Sequence, residues 1–188
     1  MRVDPYLKTL SARELLEAAR SASRDVERHA RRLERMAASE GVRGASIQGR
    51  PGGSRDASGM ARTDARIDYE RAAAPRIAAD LATIDYVRAV LYGARGRGGI
   101  AALYHGEGDA RDGTMAADLL CSHYVGWRYC TEARPDLSAG AGIMSWDEAA
   151  GDMGISRASA YRCAAEALEL VDMLGFEWVA AGEGAAAD

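Results

Sequence analysis

The stretch Trp146 to Ala165, WDEAAGDMGISRASAYRCAA, leaves little freedom in how it can fold. Two helices that meet at a steep angle need a small residue where they touch, a glycine at the turn and a few apolar pins. Ala150 is the small residue, and Gly154, four residues on, can take the positive φ of a sharp turn. Ala149, Met153, Ile155, Ala160 and Cys163 are apolar where pins are required. The spacing predicts a first helix from about Ser145 to Asp152, a turn at Met153-Gly154-Ile155 and a second helix opening at Ser156. Ser145 and Glu148 have the spacing of a capping box, and Ser156 is a good N-cap, so both helix starts are signalled independently of the apolar pattern.

Such a unit is a helix-turn-helix, whose second helix enters the major groove of DNA with its amino-terminal turn. The outward positions at that end are Ser156, Arg157, Ala158, Tyr161 and Arg162, with Ser159 placed to share in capping or to reach a phosphate. Arg157 or Arg162 can pair with guanine O6 and N7. Ser156 and Tyr161 can donate to phosphates, and Ala158 can rest against a thymine methyl. Charge opposes this reading: between Trp146 and Leu170 there are two arginines and five acids, a net −3. Phosphate contacts supply most non-specific affinity, so the unit needs help from a second subunit or another partner.

The rest of the chain is expected to be helical, giving an all-α fold. The apolar residues make up 48% of the 188, enough for a sizeable core, but alanine dominates them and there is a single Phe. Alanine favours helix, and strands want β-branched and aromatic residues. Ser11 and Glu14 form another capping-box pattern. Leu15, Ala19, Ala22, Val26, His29, Leu33 and Met36 then recur at spacings of four and three, which predicts a coiled-coil-like helix over residues 1–40 with its core at Ser11–Ala38. That seam can pair two copies in a homodimer or pack within its own chain. His29 is expected as a seam residue, not a ligand.

Residues 41–62, rich in Gly, Ser and Arg, are expected to form a flexible linker. Its Gly49 to Gly53 piece lacks the Gly-Lys-Ser/Thr ending of a P-loop, and its arginines, Arg43, Arg50, Arg55 and Arg62, are expected to keep it solvated. Residues 63–144 form a helical region with inserted loops. A helix from Thr63 to Tyr92 carries a stripe of Ile67, Ala74, Ile77, Leu81, Ile84 and Leu91, with a kink near Ala74 or a restart at Pro75. In the segment Gly93–Gly113 a breaker at Gly93 to Gly99 is followed by a short apolar piece at Ile100 to Tyr104 and an acidic loop at Gly106 to Gly113, and a further loop is expected at Arg134–Met144. Between them Thr114 to Ala133 is expected to be a helix, interrupted by Gly126, with Leu119, Leu120, Tyr124, Trp127 and Cys130 buried. Residues 145–176 hold the helix-turn-helix, and 177–188 a frayed tail.

The chain's formal charge is −4, unevenly spread: residues 1–66 carry 14 basic and 9 acidic residues, the remainder 10 and 19. A locally basic region matters more for DNA than the sum. Three cysteines make no disulfide framework and suit a reducing compartment. No apolar run approaches the roughly 18 residues of a membrane span, and the start, MRVDPYLKTLSARE, has no signal-peptide core, so a cytoplasmic location without membrane contact is expected. Cys121, His123 and Cys130 do not make a zinc site: the first two point apart on a helix, no Cys-x-x-Cys pair exists and a fourth ligand is missing. Glu107, Asp109 and Asp112 lack the alternation of an EF-hand. No nucleophile motif or His-acid pair is evident, so neither catalysis nor a cofactor is expected.

Over Leu119 to Leu174 the chain resembles the phage-encoded transcriptional regulators of the RinA and ArpU type, which carry a sigma-factor region-4-like reader. The shared motifs are Leu119-Leu120 with Tyr124-Val125, Ser145-Trp146 with Ala149-Ala150, Gly154-Ile155-Ser156, and Tyr161-Arg162 with Ala167-Leu168. An amino-terminal coiled helix followed by a Gly/Pro-rich linker is also similar. The resemblance implies control of late phage or prophage genes through double-stranded DNA, with RNA polymerase as a further partner. Two other functions fit the same helical pattern. One is a DNA-packaging protein of the small-terminase kind, and the other a helical protein-interaction adaptor that does not bind DNA.

Overall fold

A computed structural model of the chain describes residues 4–41, 57–94, 98–105, 112–132, 135 and 140–181. Among them the regular structure is helical, save isolated bridge residues such as His105 and Asp112, which pair with each other. The fold is all-α. Among the described residues eight α-helices follow a 3-10 turn, Pro5–Thr9: α1 Ala12–Gly41, α2 Ala57–Tyr92, α3 Ile100–Leu103, α4 Gly113–Leu120, α5 Trp127–Thr131, α6 Trp146–Asp152, α7 Arg157–Leu174 and α8 Phe176–Ala181. A π-helical turn, Cys121–Val125, joins α4 to Gly126.

The Ser11 capping box starts α1 as expected. The Ser11 amide donates to the Glu14 carboxylate at 2.8 Å, and the Glu14 amide to the Ser11 hydroxyl at 3.4 Å. The seam of α1 then closes on α2 of the same chain. Leu15, Ala19, Ala22 and Val26 are buried, while His29, Leu33 and Met36 are half-buried. The two helices are antiparallel: Asp25 meets Arg76, His29 meets Tyr69, and the Ser39 carbonyl meets Arg62. Small Ala19 and Ala22 favour a close approach between the helices. The seam expected to support a homodimer is therefore occupied from within, which removes the sequence-level reason for pairing two copies through Ser11–Ala38. His29 bonds the Tyr69 hydroxyl, whose ring also lies 4.2 Å beneath the Arg32 guanidinium.

Several boundaries differ from expectation. Gly41 belongs to α1, and residues 57–62 belong to α2, not to a linker; residues 42–56, with Arg43, Arg50, Arg55 and Gly49 to Gly53, lie outside the described residues. Arg62 ties the facing helix ends together through Ser39 and is not a linker arginine. At Pro75 α2 neither stops nor restarts. The proline is exposed, and tertiary ties flank it, Tyr69 to His29 before and Arg76 to Asp25 after. They hold the helix across the one hydrogen bond the ring removes. The apolar stripe of α2 holds at Ile84 and Leu91, which are buried, but fails at Ile67, 40% exposed, and at exposed Ala74; Ala73, Val87 and Val90 are buried besides.

The helix expected over Thr114 to Ala133 is broken twice. After the π turn, Gly126 sits at φ +114, and a Cβ there would meet the Ala141 carbonyl oxygen at 2.3 Å. The segment 140–144 lies against this break, with the Trp127 amide bonded to the Gly142 carbonyl and the Met144 amide to the Ser122 carbonyl. Trp127, expected in the core, covers Gly142 and is 40% exposed, and Cys130 is half-buried. The expected tail at 177–188 is helical up to Ala181. The Ala94 and Gly99 amides bond the Ala180 and Val179 carbonyls, and Phe176, Val179 and Ala180 are buried. The acidic loop residues Glu107 and Asp109 lie outside the described residues, while Asp112 caps α4 by accepting the Thr114 amide. Buried side chains from Leu7 to Ala180 share one core, where Leu15 and Leu16 of α1 meet Val87 and Leu91 of α2 and Leu168 and Val171 of α7. No helix among the described residues is long and apolar enough to cross a membrane.

Candidate nucleic-acid interface

Helices α6 and α7 form the hairpin that the spacing predicts. The capping box at Ser145 is complete: its amide donates to Glu148 at 2.7 Å, and its hydroxyl oxygen accepts the Glu148 amide at 3.3 Å. Donation from the Ser145 amide, and then from its hydroxyl, favours the charged carboxylate and holds Glu148 below its ordinary value. At the other end of α6, the Ile155 amide bonds the Ala150 carbonyl and the Gly154 amide the Gly151 carbonyl. That pair of bonds is the Schellman motif, which needs a left-handed residue, and Gly154 supplies it at φ +67. Two residues later Ser156, itself extended, caps α7, its hydroxyl oxygen accepting the Ser159 amide at 3.1 Å. Ala149, Ala150, Ala160 and Cys163 are buried where the helices cross, with Met153 and Ile155 half-buried.

The same packing turns the expected contact residues outward. Ser156, Arg157, Ala158, Tyr161 and Arg162 are exposed, and Ser159 is half-buried. They do not stand idle. The Arg157 guanidinium donates to Asp147 of α6 at 3.1 Å and to the Tyr161 hydroxyl at 3.4 Å, and lies 5.4 Å from the Tyr161 ring centre. Ser156 and Ser159 share a hydroxyl–hydroxyl bond of 2.9 Å, so both serve the cap of α7.

The acids of the hairpin are partly spoken for. Asp147 pairs with Arg157 and Glu148 closes the α6 cap. Glu166 accepts the Tyr104 hydroxyl at 2.6 Å, which draws it toward the end of α3, and burial raises the Tyr104 phenol well above its usual range. These contacts leave the net −3 of the hairpin unchanged, because Asp147 cancels Arg157 and Glu148 and Glu166 keep their charge.

A row of stacked side chains that the sequence pattern does not reveal lies behind the hairpin. His123, from the π turn, stacks on Trp146 with ring centres 4.1 Å apart; Trp146 meets Tyr161 at 4.8 Å, and Tyr124 meets Trp146 edge-on at 6.1 Å. His123 also faces α1, its Nε2 lying 3.2 Å from Arg20 Nη1, while its Nδ1 lies 2.9 Å from the Met144 carbonyl oxygen. A neutral ring protonated on Nδ1 satisfies both partners: it donates to the carbonyl and accepts from the guanidinium. Burial is the main cause that holds His123 below its ordinary value. Nothing in local spacing marks this row, because Arg20, His123 and Trp146 are far apart in the chain. It docks the π turn that ends α4 on the hairpin despite the long segment between Val125 and Ser145.

His123 and Cys121 point apart. Cys121 and Cys130 both approach the Gly126 carbonyl oxygen, at 3.9 and 3.5 Å, away from the His123 stack. Among the described residues no group of three or more His, Cys, Asp or Glu side chains is placed to hold a metal ion.

Comparisons of the chain with family models, curated proteins and solved structures found no match.

Proposed function

We propose that the protein is a sequence-specific, double-stranded DNA-binding regulator of transcription that reads the major groove with the amino-terminal end of α7. The observation that carries this reading is the hairpin itself. It is capped at both helix starts and turned by a Schellman motif at Gly154, with Arg157, Ala158, Tyr161 and Arg162 on its exposed face. Arg157, held by Asp147 and Tyr161 in the free protein, exchanges that exposed pair for a guanine edge. Exposed pairs contribute little, so the exchange costs little. Control of late phage or prophage genes, with RNA polymerase as a partner, follows from the resemblance to the RinA and ArpU type of regulator.

The test is enrichment of a duplex from a random pool, followed by affinity for the enriched and random duplexes at two salt concentrations. The enriched site is expected to bind far more tightly. Replacing Arg157 or Arg162 with Ala is expected to remove roughly 1–3 kcal/mol of that discrimination wherever the arginine pairs with a guanine. Equal, weak binding to both duplexes would sink the reading. Solution mass separates the packaging alternative, which requires a ring of many copies. An adaptor that ignores DNA is recognised by partner binding that survives replacement of both arginines.

A further inference from the structure

The hairpin is acidic by count, yet the helix beside it carries an ordered row of positive charge. Arg13, Arg20, Arg24, Arg28, Arg31 and Arg35 recur along α1 at spacings of seven, four, four, three and four, so they share one face. The face lies away from the seam that packs on α2. Arg20 is half-buried and the other five are exposed. Of the acids near this row Glu17 and Glu34 are exposed, whereas Asp25 and Glu27, which pair with its arginines, are tucked inward. Asp25, its side chain 14% exposed, is held between Arg28 and Arg76. Glu27, 20% exposed, binds Arg31 and the Ala141 amide of the segment that leads into α6. The side chains of Arg28 and Arg31 remain 71% and 57% exposed. The pairs thus present their cations to solvent and their anions to the protein.

The row is also joined to the reading surface. Arg20 contacts His123, His123 stacks on Trp146, Trp146 packs on Tyr161, and Tyr161 carries Arg157. Arg13 and Arg20 lie near enough to Tyr124, which touches Trp146, to oppose the upward shift that burial imposes on its phenol. From Arg13 to Arg35 the row is about 33 Å long at ~1.5 Å per residue, close to the roughly 34 Å of one duplex turn.

We infer that the arginine row of α1 is a second DNA contact, which grips the phosphate backbone beside the groove that α7 enters. This inference rests on the DNA reading above and supplies the phosphate contacts that the hairpin lacks, within one chain. The row positions the duplex, and α7 specifies its sequence. It commits the face to the backbone of double-stranded DNA, because a row of guanidiniums about one duplex turn long suits a line of phosphates.

The test uses the full chain and a duplex of random sequence, about 30 base pairs long, with affinity measured between about 50 and 200 mM salt. The variants are Arg13→Gln, Arg24→Gln and Arg35→Gln combined; Arg157→Ala; and Arg71→Gln, which removes a positive charge from α2. Each phosphate contact contributes about 0.9 to the slope of log affinity against log salt, or roughly 3.5-fold over this fourfold salt range. The triple variant is expected to lose salt sensitivity by about 40-fold across the range if all three contacts are made. It should weaken random and enriched duplexes alike, with its helical circular dichroism unchanged. Arg157→Ala should weaken the enriched duplex more than the random one. Arg71→Gln is expected to keep the wild-type slope. A triple variant with the wild-type slope, or Arg71→Gln with as large a drop per charge, overturns the inference and leaves the DNA reading intact. If the wild-type chain binds the enriched duplex but not the random one at the lower salt, the inference alone falls; if it binds neither, both fall.

Discussion

Three glycines test whether the hairpin turn and its support are held by backbone conformation, by close approach or by neither. Gly151 lies within α6, is exposed and has nothing within 4 Å of where a methyl group would sit; Gly154 is equally open but sits at φ +67; Gly126 sits at φ +114 with the Ala141 carbonyl oxygen at 2.3 Å. Gly151→Ala gains helix propensity and is expected to stabilise by about 0.5–1 kcal/mol. Gly154→Ala meets no atom, so its cost is the left-handed conformation alone, about 1–2 kcal/mol of destabilisation. Gly126→Ala carries the conformational cost and also displaces segment 140–144. That puts at risk the hydrogen bonds from Trp127 to Gly142 and from Met144 to Ser122. Strain of about 1–3 kcal/mol plus two bonds of about 0.5–1.5 kcal/mol each gives roughly 2–6 kcal/mol. For a chain of this size 1 kcal/mol moves Tm by about 2–4 °C. Thermal melts and urea midpoints, with unchanged m-values, should rank the variants Gly151→Ala above wild type, then Gly154→Ala, then Gly126→Ala. Gly154→Asn should recover part of the Ala deficit, because Asn tolerates the left-handed region better. If Gly154→Ala matches Gly151→Ala in stability, the turn does not depend on the positive φ and the Schellman assignment fails with it.

Leu15→Ala, at a side chain 1% exposed where α1 meets α2 and α7, is expected to cost about 2–5 kcal/mol in denaturant unfolding; a cost below about 1 kcal/mol would deny α1 a place in the core. His123 is held below its ordinary value chiefly by burial, with Arg20 and Arg24 adding to the depression and Met144 and Glu17 opposing it. The unfolded chain therefore takes the proton first, and the stability present above about pH 6.5 is lost as pH falls through the folded value. The urea midpoint should fall more between about pH 7 and 5 for wild type than for His123→Gln; equal slopes would contradict a neutral His123 ring. Burial pushes the Cys121 and Cys163 thiols up, whereas the hydrogen bond from Cys121 draws the half-buried Cys130 down. Iodoacetamide should modify Cys130 first in the folded protein, as peptide mass mapping would show, and prior labelling of Cys121 would refute that order.

The parts of this protein legible in its sequence are those that close within a few residues. Ser11 with Glu14, Ser145 with Glu148, and Ser156 each satisfy amides one turn away, and Gly154 satisfies a turn whose carbonyls are three and five residues back. Their energetics depend on the local chain, so spacing alone places them, and with them the exposed face of α7. An alanine-dominated apolar set likewise determines the all-α class.

What only the tertiary structure decided involves partners far apart in the chain. The seam of α1 fits a second copy or α2 equally well by pattern, and the antiparallel pairing with α2 settled where its buried positions go. Pro75 interrupts a helix by local rules, yet ties to His29 and Asp25 on α1 carry α2 through it. Trp127 looks like a core residue by type, but Gly126 and the segment at Ala141 and Gly142 break the helix and leave it on the surface. His123, Trp146 and Arg20 come together because the π turn, the hairpin and α1 share one core. The placement of charge beside α7 was decided in the same way: sequence counts every acid equally, and the fold tucks Asp25 and Glu27 inward while leaving Arg28 and Arg31 in solvent.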